Sequence, residues 1–350
     1  MQPRLVKLRA YLRKHKIEVA IFFSATNDPN FVYFTKSDAS GILVVPASSK
    51  PFIITNKMEF ERLVRGSIIR EIVVSDGKRI STIISKRVPR IARIGINKSS
   101  VTVRVLEELK RNLKARYVDV GEFCARLTQI KLREEIQAIT RSCKITERIF
   151  TETIKGFNFG TESELAGFIE SRMRSYGVTP GFNTIVASGK NSSMPHHIPS
   201  KAKIRGFCVM DFGVGYKHLN SDFTRTVYIG RAKDTEVRVF NAVLEAERAI
   251  LKAIKPGMKC SELARIGKRA LGNYSKHILH SFGHGVGVDV HESPVISESS
   301  NQVLKPGMVL AVEPGVYLPG KFGVRLEDMA LVTEQSMKLL TKPLDTLITL

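Results

Sequence analysis

The first hydrophobic periodicity in the chain is helical: Leu5, Leu8, Tyr11 and Leu12 recur at the spacing that places them on one face of a helix. The apolar run Ile17–Ser24 then predicts a strand, and Gly41–Pro46 and Pro51–Thr55 predict two more. Asn56, with Glu59 three residues later, carries the signature of a capped helix start. Further strands are expected at Glu71–Ser75, Arg93–Ile96 and Ala115–Val120, with helical segments near 78–87 and 100–114. Alternation of this kind is that of an α/β domain. It contains no phosphate loop and no dinucleotide fingerprint, so its expected role is scaffolding, oligomer contact or restriction of substrate.

A polar, helix-forming stretch, Thr128–Arg141, leads into a second domain, and the boundary is placed near residue 122. In that domain Thr161 and Glu164 form a capping box ahead of the apolar stripe Leu165, Phe168, Ile169 and Met173, and Gly177 ends the helix. A second long helix is expected over Val237–Ile254. The tetrapeptide Lys255-Pro256-Gly257-Met258 that closes it returns at Lys305–Met308, which suggests internal duplication.

Composition narrows the class. The 350 residues suffice for two domains, and 43% hydrophobic with 25% charged residues is an ordinary globular balance that excludes disorder and fibrous folds. No run approaches the roughly 18 apolar residues of a membrane span, and no signal-peptide core follows the basic N-terminus, so a cytoplasmic location is expected. Four dispersed cysteines suggest buried free thiols rather than disulfides or a thiolate zinc site. The net charge of +22 is spread over both domains, and the densest basic run, Lys86–Arg93, has no interleaved aromatics; a specific nucleic-acid partner is not expected.

Two segments carry the chemistry. Val209-Met210-Asp211-Phe212-Gly213 and Ala311-Val312-Glu313-Pro314-Gly315 are each an apolar strand ending in an acid, and each acid has a partner downstream, Asp222 and Glu327. An unbulged hairpin folded about position 216.5 would set Asp211 opposite Asp222, and one folded about Gly320 would set Glu313 opposite Glu327. Carboxylates about 4.5–5.5 Å apart at Cβ are destabilising unless a cation lies between them. His284, in the glycine-rich run Gly283-His284-Gly285-Val286-Gly287, adds an imidazole, and its glycines would let backbone approach a metal. Four carboxylates and one imidazole suit a pair of divalent ions such as Mn, Co, Fe or Zn, and two-metal sites favour hydrolysis.

The order Asp211, Asp222, His284, Glu313, Glu327, with Pro195-His196 upstream and Val290-His291-Glu292 downstream, resembles the dinuclear pita-bread metallopeptidases. Ser221-Asp222-Phe223-Thr224-Arg225-Thr226, Glu313-Pro314-Gly315 and Arg325-Leu326-Glu327-Asp328 resemble their proline-specific branch, the Xaa-Pro dipeptidases (prolidases) and Xaa-Pro aminopeptidases. The resemblance implies a creatinase-type α/β domain over 1–122 and an α+β pita-bread catalytic domain over 123–350 with a pseudo-twofold internal repeat. It implies two divalent ions per chain, Mn or Co ahead of Zn or Fe. Asp211 would hold one ion, His284 and Glu313 the other, and Asp222 and Glu327 would bridge them. Glu313 would also serve as general base towards a metal-bridging hydroxide. His196 and His291 would contact the scissile peptide, one near its nitrogen and one at its carbonyl, and Arg325 would orient the metal carboxylates. Short proline-containing peptides would be the substrates and a homodimer the assembly.

One position departs from the pattern. Prolidase dipeptidases commonly carry an arginine four residues beyond the histidine of the Val-His-Glu motif, where it binds the terminal proline carboxylate. Here that position is Val295, which raises the aminopeptidase reading. Methionine aminopeptidase, metal-free creatinase and a non-enzymatic protein- or RNA-binding module are the competing readings. His197, His218, His277 and His280 are expected to be structural, and Tyr216 and Tyr317 to be packing residues.

Overall fold

A computed structural model describes residues 2–350, which divide into two compact units, the first ending at Thr128 and the second running from Gln129 to Leu350. The first unit is built on six strands: β1 Val19–Phe23, β2 Ile42–Pro46, β3 Phe52–Thr55, β4 Ile72–Val74, β5 Arg93–Ile96 and β6 Arg116–Asp119. They lie in the order β4-β3-β2-β1-β5-β6. β1 runs parallel to β5 and antiparallel to β2.

Alternation of side chains along a strand divides this sheet between two cores. Ala20, Phe22, Leu43, Val45 and Ile53 face one side, where they meet Leu5, Leu8 and Leu12 of the helix Pro3–Lys14. Val19, Ile21, Phe23, Val44, Phe52 and Ile54 face the other, against Ile83, Ile84 and Leu109. The Asn56 side chain accepts from the Glu59 amide at 3.0 Å, so the helix Lys57–Gly66 starts where its cap predicts.

The unit boundary falls six residues beyond the expected 122, because that position lies inside the helix Gly121–Thr128. Val120 and Cys124 are buried in the first unit's core, with Phe123 and Leu127 packed against it, and this apolar face ties the whole helix to the first sheet.

The second unit repeats one plan. In its first half the helices Arg133–Lys155 and Glu162–Ser175 pack on an antiparallel sheet of Ile185–Ser188, Gly206–Asp211 and Thr224–Ile229. In its second half the helices Asp234–Ala253 and Cys260–Leu271 share a core with a five-stranded sheet that includes Gly283–Gly285, Val309–Val312 and Asp328–Val332. The two Lys-Pro-Gly-Met tetrapeptides form similar turns, with φ of 82° at Gly257 and 86° at Gly307. Both lie in the second half, however, so they are not equivalent points of the repeat; the acid-terminated strands are. The halves meet at a bridge between Thr224 and Glu327. All four cysteines are buried and free, and no described helix is long and apolar enough to cross a membrane.

Candidate metal centre

Asp211 is the last residue of its strand, but its partner across the ladder is Thr224 rather than Asp222. The hairpin turns at Lys217 and His218, both with positive φ, the backbone of a type I′ turn. Gly215 pairs with Asn220 and Tyr216 with Leu219, which moves the register centre to 217.5. Asp222 lies in the irregular stretch between the strands, where the Ser221 amide donates to Val214 O. The second hairpin folds about Gly320 as its symmetry predicts, with Gly315 opposite Arg325. Its acids flank the ladder: Glu313 follows the strand Val309–Val312, and the Glu327 amide donates to Thr224 O. His284 sits on Gly283–Gly285, opposite Ala311 on one side and Val295 on the other. Its glycines serve the sheet rather than a metal. A Cβ at Gly283 would meet Ala311 O at 2.2 Å, and one at Gly285 would meet Ser293 O at 2.4 Å.

By these routes the side chains converge. Donor atoms of Asp211, Asp222 and Glu327 lie within 4.8 Å of one another, as do those of His284, Glu313 and Glu327. His284 Nε2 is 3.6 Å from Asp222 Oδ2 and 3.5 Å from Glu313 Oε1, too far for hydrogen bonds. All except Glu313 are buried, and the Glu313 side chain is 14% exposed.

The hydrogen bonds engage one side of Asp211, Glu327 and His284 and leave the other bare. Arg325 donates to Asp211 Oδ2 and, through Nε, to Thr224 Oγ1, which donates to Glu327 Oε2 at 2.7 Å. Asp211 Oδ1, Glu327 Oε1 and His284 Nε2 are buried without a partner among the described residues. The Nδ1–H of His284 donates to Gly285 O at 3.1 Å, so its Nε2 lone pair is the free one. Buried polar atoms left in this way are costly, and three converging on one space fit a cation.

Electrostatics agree. Burial pushes the Asp222 carboxyl well above its usual range, and the charges of Asp211 and Glu313 push it further. Burial does the same to Glu327, helped by Asp222 and Glu313. Glu313 is raised to about 8 by burial, against the pull of Arg325. Burial and the neighbouring His291 lower His284 to about 4, which keeps the imidazole neutral and able to ligate.

Around this cluster lie groups that sequence patterns place less well. His291 is exposed, with its ring 4.2 Å from that of His284, and one of its nitrogens joins Asp222 and His284 within the same 4.8 Å limit. His196 is exposed on the loop after Ser193, and Arg325 donates to Pro195 O beside it at 3.4 Å. Tyr317 and His280 were expected to be packing and structural residues, but both belong to the network. The Tyr317 hydroxyl accepts from Arg325 at 2.7 Å and lies 2.7 Å from His280 Nε2. His280 Nδ1 is 2.7 Å from Ser281 O, so the proton sits on Nδ1, and Tyr317 donates to Nε2. The hairpin itself carries a signal for Tyr317: it stands opposite Gly323, two residues from Arg325, on the same face of the ladder.

Comparison with known proteins matches residues 137–334 to metallopeptidase family M24 and residues 4–130 to the creatinase/prolidase N-terminal domain. The chain is 32% identical over 351 residues to an Xaa-Pro dipeptidase of Pyrococcus horikoshii, covering 98% of this chain and 97% of that protein. Among solved structures, the prolidase from Pyrococcus horikoshii superposes with a TM-score of 0.91 at 31% identity, covering 98% of this chain and 99% of the other. The X-Pro aminopeptidase from Thermotoga maritima gives 0.88 at 29% identity, covering 96% and 98%.

The raised carboxyls predict proton release on metal binding. Below about pH 8 the metal-free cluster retains protons that a cation must displace, so affinity for Mn should rise from about pH 6 to about pH 8. Titration calorimetry near pH 7 in two buffers of different ionisation enthalpy should show net proton release on metal binding; heats independent of the buffer would contradict the raised carboxyls.

Proposed function

This chain belongs to metallopeptidase family M24, with a creatinase/prolidase N-terminal domain, and we propose that it hydrolyses the Xaa-Pro bond at the N-terminus of short proline-containing peptides. It is an enzyme, a metallopeptidase. The observation that carries the reading is the set of buried donors with one side held by the protein and the other bare. The likenesses do not favour a methionine aminopeptidase or a non-enzymatic binding module.

In this reading Asp211 would hold one divalent ion and His284 and Glu313 a second, with Asp222 and Glu327 shared; Glu327 is common to the groups of Asp211 and of Glu313, and Asp222 groups with Asp211 and also with His284. Bound ions of this kind lower the pKa of a water they hold and polarise the carbonyl it attacks. The carboxylate-rich donor set favours Mn or Co.

The protein's own groups supply the rest. Glu313 has the most exposed side chain of the five, and its carboxylate, once ionised, would take a proton from the attacking water and pass it to the departing proline nitrogen. Arg325, held by Tyr317 and His280, keeps one Asp211 oxygen engaged and so fixes the direction of the other. His196 and His291 would contact the scissile peptide, one at its nitrogen and one at its carbonyl. The reading extends to a homodimer and a cytoplasmic site of action, on the analogy of the family.

Glu313→Gln retains the size and one oxygen donor but removes the base. Its kcat on Ala-Pro-Ala should fall by about two to four orders of magnitude with secondary structure unchanged. A kcat near that of the wild type would place the base elsewhere.

Val295 determines how the substrate ends. It is 40% exposed and directly opposite His284 in the sheet, so a longer cationic side chain at this position would stand beside the centre. A desolvated terminal carboxylate needs a cationic partner, which valine cannot be. Ala-Pro-Ala should therefore be cleaved at least as well as Ala-Pro, and Val295→Arg should shift kcat/KM towards the dipeptide by about ten- to a hundredfold. A strong preference for Ala-Pro in the unmodified protein would show that another cation holds the carboxylate.

A further inference from the structure

Glu162 is the first residue of the helix Glu162–Ser175, yet the helix does not need it as a cap. Thr161 Oγ1 accepts from the Glu164 amide at 3.3 Å, and Glu164 Oε2 accepts in return from Thr161 N at 3.2 Å and Gly160 N at 2.8 Å. The Glu162 carboxylate turns instead to the segment from Ser188 to Ser200, which carries His196. Oε1 accepts from Ser188 N at 2.8 Å and from Asn191 Nδ2 at 3.0 Å. Oε2 accepts from Ser200 N at 3.1 Å and Ser200 Oγ at 2.8 Å, and lies 2.8 Å from His197 Nε2. The residue is fully buried.

One carboxylate thus grips both ends of the loop and the neighbour of His196. The loop also has backbone ties of its own: Met194 N donates to Asn191 O at 3.0 Å, His197 N to Met194 O at 3.2 Å, and Ser163 N to Ser200 O at 2.9 Å. Its buried residues, Ser188 and Ser192, are polar, while Met194 is 47% and Ile198 82% exposed, so no buried apolar side chain anchors the segment. Two of its polar ties lead to the strand that carries Arg325: the Gly323 amide donates to Ser192 Oγ at 2.8 Å, and Arg325 donates to Pro195 O. Hydrogen bonds to an ionised acceptor are the strong ones, and several converging on one buried carboxylate set a single loop geometry.

We propose that Glu162 is a positioning residue: through Ser188, Asn191, His197 and Ser200 it fixes the loop that presents His196 to the scissile peptide. The inference rests on the proposed role of His196. Glu162 touches no substrate and acts only through the loop.

The test compares loop order with turnover. Glu162→Gln replaces one acceptor oxygen by an amide that cannot accept from its donors. In the full-length, Mn-loaded protein, amide hydrogen exchange over residues 188–200 should accelerate by about tenfold or more, with exchange elsewhere unchanged. The kcat/KM on Ala-Pro-Ala should fall by about ten- to a hundredfold, chiefly in kcat. In a His196→Ala background the same substitution should cost less than about threefold, because the two residues act as a unit. His197→Leu removes one donor and leaves the carboxylate in place; it should accelerate exchange in the same segment by a smaller factor, and it serves as the probe if Glu162→Gln does not fold. Unchanged exchange over 188–200, or an undiminished loss in the His196→Ala background, would overturn the proposal. Turnover at the wild-type level in His196→Ala alone would overturn the role of His196, and the exchange measurement would still decide whether Glu162 orders the loop.

Discussion

Four carboxylates and one imidazole share a buried space that holds a single guanidinium, Arg325, and like charges so close cannot all stay ionised without a further cation. Left to itself such a space would take up protons, as the raised carboxyls of Asp222, Glu313 and Glu327 show. The fold accepts that cost because its own hydrogen bonds are arranged around the cluster rather than across it. Arg325 and Thr224 each occupy one oxygen of an acid, leaving the opposite oxygen directed inward. The bare atoms and the repulsion have the same remedy, a divalent ion.

Holding five donors against their repulsion requires stiff surroundings, and the repeat provides them. Each half contributes an acid at the end of an apolar strand, and the halves are joined where Thr224 meets Glu327. Arg225, fully buried, reinforces that joint. It donates to Thr224 O at 3.0 Å, Glu327 O at 2.7 Å and Asp328 Oδ1 at 2.6 Å, and stacks 4.0 Å from the Phe223 ring. Removing one partner of a buried pair of this kind typically costs about 3–5 kcal/mol, so the side chain is a structural tie behind the ligands.

Local patterns foretold much of this arrangement. The helix face at Leu5, Leu8 and Leu12, the Asn56 and Thr161 caps and the hairpin about Gly320 all rest on short-range spacing, and the structure follows them. The first hairpin departs because register depends on the turn, and the left-handed pair Lys217-His218 carries none of the glycine or asparagine that usually marks a type I′ turn. Asp222 reaches Asp211 all the same, by way of an irregular connection that symmetry arguments do not describe. The roles of His280 and Glu162 are not written in local sequence patterns. Glu162 and His280 act through hydrogen bonds to residues 26 to 38 positions away, which neither periodicity nor motif spacing encodes, whereas Tyr317 meets Arg325 within one hairpin, where the register alone places them on one face. The domain edge moved because the apolar face of one short helix, not a change in composition, decides which core it joins.

The most direct measurement combines metal content with turnover. Protein stripped by chelation should carry no divalent ion and leave Ala-Pro-Ala uncleaved. Reloading with Mn should restore cleavage as the content, followed by plasma mass spectrometry, rises to the proposed two ions per chain. Full turnover by protein shown to be free of metal would contradict the account.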